Sequence, residues 1–296
     1  MAQISGVAGM TEPKLIFHHE AMNTTFTVSF PERASHFPLP SIAMECFELL
    51  DELEHQLSRY YEGSEIQQIN AMQSGESLVI TPSCYECLVQ ANRVFQDSRG
   101  AFDITLGKLI EHYKKRTTGS APVLEGNWVL DAQRSRITCV QAGREMDLGG
   151  IGKGYALDQM AKVLLGWEIE EALLAAGAST QLVLGQKEVK FELIGDLQRE
   201  KLLLKNQALS ASGVDIQAVH IISPQAQNSE TLYKRAWCIA ESATLADAWS
   251  TAAMLMSGQE LAQALLECDY LSFFATEAWS GVIQKWDKAK AASGQS

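Results

Sequence analysis

The chain has 296 residues, of which 46% carry hydrophobic side chains and 20% are charged, a composition that excludes a disordered protein. The net charge of −12 argues against a nucleic-acid surface, because phosphate binding needs clustered Lys and Arg side chains. No apolar run approaches the ~20 residues that span a bilayer, and the first residues do not have the pattern of an export signal. We therefore expect a cytoplasmic protein without nucleic-acid or membrane partners.

The first part of the chain is predicted to contain two strands followed by two helices. Residues 15–30 alternate apolar and polar side chains around a short turn, which predicts the two strands. Apolar residues recur at helical spacing from Ser41 to Leu57, and a second helix is expected from about Pro82 to Ser98. The buried stripe of that second helix is expected to consist of Leu88, Ala91, Val94 and Phe95. Residues 114–127 contain Gly and Pro and predict an exposed loop.

The second part of the chain mixes strands and helices, which predicts an α+β fold with mixed or antiparallel sheets and packed helices. The predicted elements are hairpin strands at 128–130 and 137–140, a helix from about Tyr155 to Gly166, strands at 173–175, 181–184, 217–222 and 236–240, and a helix from about Thr244 to Ser257-Gly258. We expect residues 1–296 to form a single unit, with two subdomains as the alternative arrangement. The last residues, 287–296, are small and polar and predict a frayed, flexible tail.

Six cysteines are scattered along the chain, which is not the pattern of a disulfide-stapled secreted domain. Cys84 and Cys87 have CxxC spacing, but they follow Thr81-Pro82 at a predicted helix start. No second Cys or His pair follows nearby, as a zinc site would require. We therefore expect reduced thiols, and redox or zinc chemistry is the minor alternative.

The strongest local signal is the glycine run Asp147–Gly154, which has four glycines within six positions and leads into a predicted helix. Glycines allow backbone amides to approach a ligand, and a helix N-terminus favours an anion such as a phosphate. Lys153 can add a full positive charge, and Asp147 can accept hydrogen bonds or hold the turn. The run is neither a Walker A loop nor a GxGxxG motif. Anion binding and a tight strand-to-helix turn therefore both remain open.

Two further features suggest chemistry, although neither decides it alone. Asp247 and Thr251 are four residues apart in a predicted helix, so their oxygens share one face. Carboxylate and hydroxyl oxygens suit Mg²⁺, although an aspartate near a helix start also has a purely structural use. His220 lies in a predicted strand, where a structural histidine and a catalytic one have the same pattern.

These features occur together, in this order, in the ApbE family of FAD:protein FMN transferases, which this chain resembles over roughly residues 15–275. The most specific match is Asp147–Gly154, which reads DLGGIGKG against the family's DLGGIAKG. The other matching segments are Met22-Asn23-Thr24, Ser58-Arg59-Tyr60, Ser64-Glu65-Ile66 with Asn70, Gly100–Gly107 (GAFDITLG), Ser212-Gly213, His220-Ile221-Ile222 and Asp247-x-x-x-Thr251.

The resemblance implies an ApbE-like, T-fold-like α+β protein that binds FAD and Mg²⁺. Its activity would be transfer of FMN from FAD to a Thr or Ser hydroxyl of an acceptor flavoprotein, with release of AMP. The metal would be held by Asp247, Thr251 and the carbonyl of Gly152, and the catalytic residues would be His220 and Asp247. The FAD-binding residues would be Met22, Tyr60, Asp103, Thr105, Asp147, Gly149, Gly150, Lys153 and Gly177. We expect Asp247→Ala to abolish Mg²⁺-dependent activity and to leave the fold largely intact.

The chain departs from the family pattern near the acceptor and nucleotide sites. Ser223 stands where the family has Asp after His-Ile-Ile, and Ala178 replaces the second glycine of a turn. Asn23 replaces the glycine of Met-Gly-Thr, and Lys108 stands where the family usually has Pro. Two alternatives therefore remain open: a flavin carrier or sensor that binds FAD without transfer, and a pyrophosphatase that splits FAD into FMN and AMP.

Overall fold

A computed structural model of the chain describes residues 3–6, 14–115, 120–214, 221–222 and 230–293, which form antiparallel sheets with packed helices. The helices are α1 (Leu39–Leu57), α2 (Glu65–Ala71), α3 (Pro82–Asp97), α4 (Gly107–Lys114), α5 (Gly152–Gly166), α6 (Ala243–Ala253), α7 (Gly258–Glu267) and α8 (Lys288–Ser293), with a short 3-10 helix at Glu32–Ala34. The strands are β1 (Gln3–Gly6), β2 (Lys14–Ala21), β3 (Thr24–Pro31), β4 (Ser77–Val79), β5 (Asn127–Asp131), β6 (Arg136–Gln141), β7 (Ala172–Ala176), β8 (Thr180–Leu184), β9 (Val189–Ile194), β10 (Arg199–Leu204), β11 (Ala208–Gly213), β12 (Arg235–Ala240), β13 (Leu271–Glu277) and β14 (Ile283–Asp287).

The largest sheet has eight strands in the order β14-β13-β12-β11-β8-β7-β3-β2. All of its neighbouring strands pair antiparallel, as do those of the two smaller sheets, β1-β9-β10 and β4-β6-β5. The predicted α+β class is therefore confirmed. Among the described residues, no helix is both long enough and apolar enough to cross a membrane.

The β2–β3 hairpin shows how local sequence sets this architecture. Ala21 pairs with Thr24, so Met22 and Asn23 form a two-residue turn with φ values of 50° and 58°. Such a turn needs two left-handed residues, and Asn tolerates this conformation better than most side chains. Asn23 can therefore adopt this turn at the position where the family motif has glycine.

The centre of the main core is α6, in which ten of the eleven residues are buried. This helix packs against α5 and against β11 and β12. Its alanines allow close approach on several sides, and Trp249 fills the space toward Phe274 of β13. A carboxylate at Asp247 of such a helix needs hydrogen-bond donors around it, because burying an unpaired charge is costly.

The structure corrects three helix predictions. The helix expected to run from Thr244 to Ser257-Gly258 ends at Ala253, because Ser257 starts a separate helix, α7, through a capping box with Glu260. Helix α5 begins at Gly152 and not near Tyr155. Phe95, predicted to be buried, is 41% exposed in the last turn of α3 and lies against Gly100 of the following turn.

Other predictions fall partly outside the described residues. Ile221 and Ile222 are described and buried, but they do not form a strand, and the rest of the strand predicted at 217–222 lies outside the described residues. The loop predicted at 114–127 is irregular over the described residues 120–126. The tail predicted to be frayed at 287–296 contains helix α8, and residues 294–296 lie outside the described residues.

Candidate active site

The glycine run Asp147–Gly154 forms a tight turn that ends in the first turn of α5. The Gly149 N–H donates to Asp147 Oδ1 at 2.9 Å, and the Asp147 N–H donates to the Ile104 carbonyl at 2.7 Å. A Cβ atom on Gly149 would lie only 3.0 Å from Asp147 Oδ1. Asp147 therefore holds the turn, which was one of the two uses left open by its sequence.

The other oxygen of Asp147 faces an arginine that the sequence did not reveal. Arg59 Nη1 lies 3.4 Å from Asp147 Oδ2, and its Nη2 lies 2.7 Å from Glu145 Oε2. The Arg59 side chain is only 9% exposed. A Cβ atom on Gly107 would lie 2.2 Å from Arg59 Nη1, so this glycine makes room for the guanidinium. Arg59 thus links the end of α1, the start of α4 and the glycine run.

The glycine run lies directly against α6. A Cβ atom on Gly154 would lie 2.1 Å from the Ala243 carbonyl oxygen, and one on Gly150 would lie 3.2 Å from Thr251 Oγ1. At Gly152, where the family signature has Ala, a Cβ atom would meet only Leu148 Cβ at 4.0 Å. The run therefore needs glycine at position 154, is tight at Gly150 and tolerates a side chain at Gly152.

Asp247 is the buried carboxylate at this contact, with a side chain that is 4% exposed. Its Oδ2 accepts a hydrogen bond from the Gly154 N–H at 3.0 Å and lies 3.7 Å from Lys153 Nζ. Its Oδ1 accepts hydrogen bonds from the hydroxyls of Ser210 at 3.3 Å and Thr180 at 3.5 Å. The aspartate thus joins the start of α5 to strands β8 and β11.

Thr251 shares the predicted helix face with Asp247 and belongs to a cluster of hydroxyl groups. Its Oγ1 lies 3.2 Å from Ser212 Oγ and donates to the Asp247 carbonyl at 3.4 Å. Ser212 Oγ is in turn 2.8 Å from Ser250 Oγ. Among the described residues, no three His, Cys, Asp or Glu side chains are grouped as a metal site. The oxygen atoms available to bind a cation at this cluster are those of one carboxylate, Asp247, together with hydroxyl and carbonyl oxygens.

Lys153 extends from the first turn of α5 over the glycine run. Its ammonium donates to the Gly149 carbonyl at 3.1 Å, in addition to its approach to Asp247. The side chain is 23% exposed, so the ammonium keeps partial access to solvent. A cation therefore lies at the N-terminus of a helix, where Asp247 already accepts a hydrogen bond from the Gly154 amide.

Asp103 and Thr105, predicted to bind FAD, form a compact network beside the run. Asp103 Oδ1 accepts from the Thr105 backbone N–H at 2.8 Å and from its hydroxyl at 2.6 Å. Arg144 Nη1 lies 2.9 Å from Asp103 Oδ2 and donates to Thr105 Oγ1 at 2.7 Å. These side chains hold the loop before α4, and their contact with FAD stays a prediction.

Tyr60 is 60% exposed and lies beside a cleft of about 310 Å³. Its hydroxyl donates to Glu111 Oε2 at 3.4 Å and accepts from Lys114 Nζ at 2.8 Å. The residues that line the cleft are Lys108, Glu111, His112, Lys115, Pro122 and Glu145. An exposed aromatic ring at the edge of a cleft can stack on a planar ligand, which fits the flavin contact predicted for Tyr60.

Met22 and Gly177 lie on two adjacent turns of the main sheet. Gly177 has φ = 55°, and a Cβ atom there would lie 2.3 Å from Thr24 Oγ1 at the turn that carries Met22. The Met22 N–H donates to Glu54 Oε1 of α1 at 2.9 Å. A side chain at position 177 would collide with Thr24 where the two turns meet. Gly177, the first residue of the family's Gly-Gly turn, is therefore needed here for packing.

His220 lies outside the described residues.

The thiols are buried and free, as expected from their spacing. All six cysteines are unpaired and buried, including Cys84 and Cys87 of the CxxC segment. Burial, with a smaller effect of Glu45, raises the pKa of the Cys46 thiol to about 12, and burial raises the pKa values of Cys84 and Cys87 as well. Because the thiolate is the reactive form, these side chains are suited to packing and not to redox chemistry.

The sequence pattern of the ApbE family matches residues 22–272, which is most of the chain and includes the glycine run, Asp247 and Thr251. The chain belongs to the ApbE family. An FAD:protein FMN transferase of Vibrio cholerae is 24% identical over 197 residues, which cover 62% of this chain and 59% of that protein. An FAD:protein FMN transferase of Chlamydia muridarum is 26% identical over 157 residues, which cover 49% of this chain and 50% of that protein. The matches thus span between half and three fifths of these relatives.

Solved ApbE structures share the fold over nearly the whole chain. The ApbE protein of Thermotoga maritima superposes with a TM-score of 0.80 and 22% identity, covering 94% of this chain and 98% of that one. The flavin transferase ApbE of Vibrio cholerae gives a TM-score of 0.78 and 18% identity, covering 95% of this chain and 99% of that one. The ApbE-like architecture expected from the sequence is confirmed.

Proposed function

We propose that this ApbE-family protein transfers FMN from FAD to a Thr or Ser hydroxyl of an acceptor flavoprotein in a Mg²⁺-dependent reaction that releases AMP. The proposal rests on a contact between two segments that are distant in the sequence, the glycine run and α6. Gly154 of the glycine run donates to Asp247, and Gly150 lies against Thr251. The glycine turn, for which phosphate binding is predicted, and a pair of hard oxygen donors are therefore in contact. The names of the two sequence relatives support transfer of FMN from FAD to a protein.

The oxygen donors fit Mg²⁺, which takes few protein ligands and completes its octahedron with waters and substrate phosphates. Asp247, Thr251 and the Gly152 carbonyl would hold the ion. When bound, it would neutralise charge on the FAD pyrophosphate. The hydroxyl of Ser212, 3.2 Å from Thr251 Oγ1, would orient the threonine toward the same site.

The chain's own groups would supply the remaining charge and position the substrate. Lys153, in the first turn of α5, would supply positive charge to the pyrophosphate, and Tyr60 would contact the flavin at the cleft. In the reaction the acceptor oxygen bonds to the phosphorus of the FMN half, and the bond from that phosphorus to AMP breaks. The hydroxyl proton passes to a base, the role predicted for His220.

The direct test incubates the purified protein with FAD, Mg²⁺ and an acceptor flavoprotein domain that carries a candidate Thr. We expect a mass increase of one FMN on the acceptor and one AMP for each FMN transferred. Omission of Mg²⁺, or Thr251→Val, is the matched control and lowers both products together. If no acceptor gains FMN, the transferase proposal is wrong.

The same product analysis separates the two alternatives. AMP with free FMN identifies a pyrophosphatase, since water has then replaced the acceptor hydroxyl. FAD that stays bound and intact, whether or not Mg²⁺ is present, identifies a carrier or sensor. Ser223 and Ala178 are the departures that motivate these alternatives, and restoring Asp at 223 or Gly at 178 tests whether transfer depends on them.

A further inference from the structure

A second buried aspartate, Asp158 of α5, connects α5 to the helix that carries Asp247 and Thr251. Its Oδ1 accepts a hydrogen bond from the Ala243 N–H at 2.8 Å, and its Oδ2 accepts one from the Thr244 N–H at 2.8 Å. The Thr244 hydroxyl donates to the same Oδ2. The start of α6 is therefore bound to α5 by three donors on one carboxylate.

The two helices cap each other. The first amides of a helix have no partner within the helix, and a carboxylate placed there is stabilising. Asp247 of α6 accepts from Gly154 in the first turn of α5, whose own N-cap residue, Ile151, offers no side-chain hydrogen bond. Asp158 of α5 accepts from the first turn of α6 in return. Each helix start is thus completed by an aspartate of the other helix.

The spacing of these residues places the two hydrogen-bonded contacts on the facing sides of α5 and α6. Gly154 and Asp158 are four residues apart on α5, and Ala243 and Asp247 are four residues apart on α6, so each pair lies on one helix face. The backbones touch between the two hydrogen-bonded ends, since a Cβ atom on Gly154 would lie 2.1 Å from the Ala243 oxygen. Burial raises the pKa of the Asp158 carboxyl, and the hydrogen bonds from Thr244 and Ala243 oppose that rise.

We propose that Asp158 is a positioning residue for cation binding, because it fixes the start of α6 on α5 and so sets Asp247 and Thr251 against the glycine run. This inference rests on the proposed function and goes beyond it by assigning a residue that would not touch the ion. Mg²⁺ requires near-ideal octahedral geometry at about 2.0–2.1 Å, so a small shift of α6 lowers its affinity.

The test compares Asp158→Asn with Ser257→Ala. In Asp158→Asn an amide NH₂ replaces one acceptor oxygen, so one of the donors on α6 loses its partner while the side-chain volume stays the same. Ser257→Ala removes the cap of α7, which costs about 0.5–2 kcal/mol without touching the α5–α6 contact. Ser257→Ala therefore controls for a general loss of stability.

The first readout is binding of Mn²⁺ to the full-length protein, followed by the electron paramagnetic resonance signal of the free ion. We expect Asp158→Asn to raise the Mn²⁺ dissociation constant by about tenfold, the low end of the range for partners of metal ligands, because Asp158 acts on Asp247 and Thr251 only through the start of α6. Ser257→Ala should bind Mn²⁺ like the wild type. The second readout is AMP release at varied Mg²⁺, in which Asp158→Asn should raise the Mg²⁺ concentration for half-maximal rate and leave kcat at saturating Mg²⁺ within about twofold.

Thr244→Val is a milder variant, because it removes only the hydroxyl donor to Asp158 and should give a smaller change in the same direction. It keeps the test valid if Asp158→Asn does not fold. Wild-type Mn²⁺ affinity in both variants would overturn this inference and leave the proposed function standing. A wild-type protein that binds neither Mn²⁺ nor Mg²⁺ would overturn both.

Discussion

Gly154→Ala is expected to destabilise the protein strongly, because the added methyl group has no space between α5 and α6. It would lie 2.1 Å from the Ala243 carbonyl oxygen, 2.6 Å from the Ala243 carbonyl carbon and 2.8 Å from Asp247 Cβ. Carbon–oxygen contacts are normally about 3.3 Å or longer, so the helices must separate by roughly 1 Å. Two of these three atoms are backbone, and no flexible side chain can move aside to relieve the clash.

The size of the effect follows from three terms. Overpacking of this kind costs about 1–3 kcal/mol, and weakening the hydrogen bond from Gly154 to the Asp247 carboxylate costs about 1.5–3 kcal/mol. The better helix propensity of Ala offsets about 1 kcal/mol. We therefore expect the free energy of unfolding to fall by about 1.5–5 kcal/mol.

Urea denaturation of Gly154→Ala and Gly152→Ala in EDTA measures this effect without any contribution from bound metal. Gly152 lies two residues away in the same helical turn, and its added Cβ would meet only Leu148 Cβ at 4.0 Å. Gly152→Ala should therefore keep or slightly increase the free energy of unfolding, by up to about 1 kcal/mol. Equal unfolding midpoints for the two variants would refute the close approach of α5 and α6 at Gly154.

Two further predictions concern the candidate site, and a third concerns the buried cysteines. Thr251→Val keeps the side-chain shape but removes the hydroxyl oxygen proposed to bind Mg²⁺. AMP release should then need about tenfold more Mg²⁺. An unchanged Mg²⁺ titration would exclude Thr251 as a ligand. Asp247→Ala was expected from sequence to leave the fold largely intact, but it leaves the Gly154 N–H and two hydroxyls without their acceptor. Its free energy of unfolding in EDTA should fall by about 1–3 kcal/mol, and an unchanged urea midpoint would contradict this contact set. The six buried thiols should not react with a thiol reagent until the protein unfolds, whereas labelling of native Cys84 or Cys87 would support redox use.

Local sequence patterns were sufficient where the structure depends on neighbours in the chain. The alternation at residues 15–30 and the helical spacing from Ser41 to Leu57 both correspond to observed elements. The core stripe of α3 was right for Leu88, Ala91 and Val94 but wrong for Phe95, because periodicity does not reveal where the neighbouring layer ends. The strands that were not predicted are β1, β4, β9, β10, β11, β13 and β14, although β9–β10 and β13–β14 pair between neighbours in the chain.

The arrangement of the candidate site depends on contacts between distant parts of the chain, which spacing does not encode. Arg59 pairs with Asp147 and Glu145, 88 and 86 residues away, and Arg144 pairs with Asp103, 41 residues away. The sequence does contain a signal that the Asp158 carboxyl is buried. Asp158 lies next to Leu157 and two residues before Met160, in a helix with a buried face. A carboxylate in such a place must find buried donors. The first turn of a neighbouring helix supplies them, so an aspartate within an apolar helical pattern can indicate which helix start packs against it.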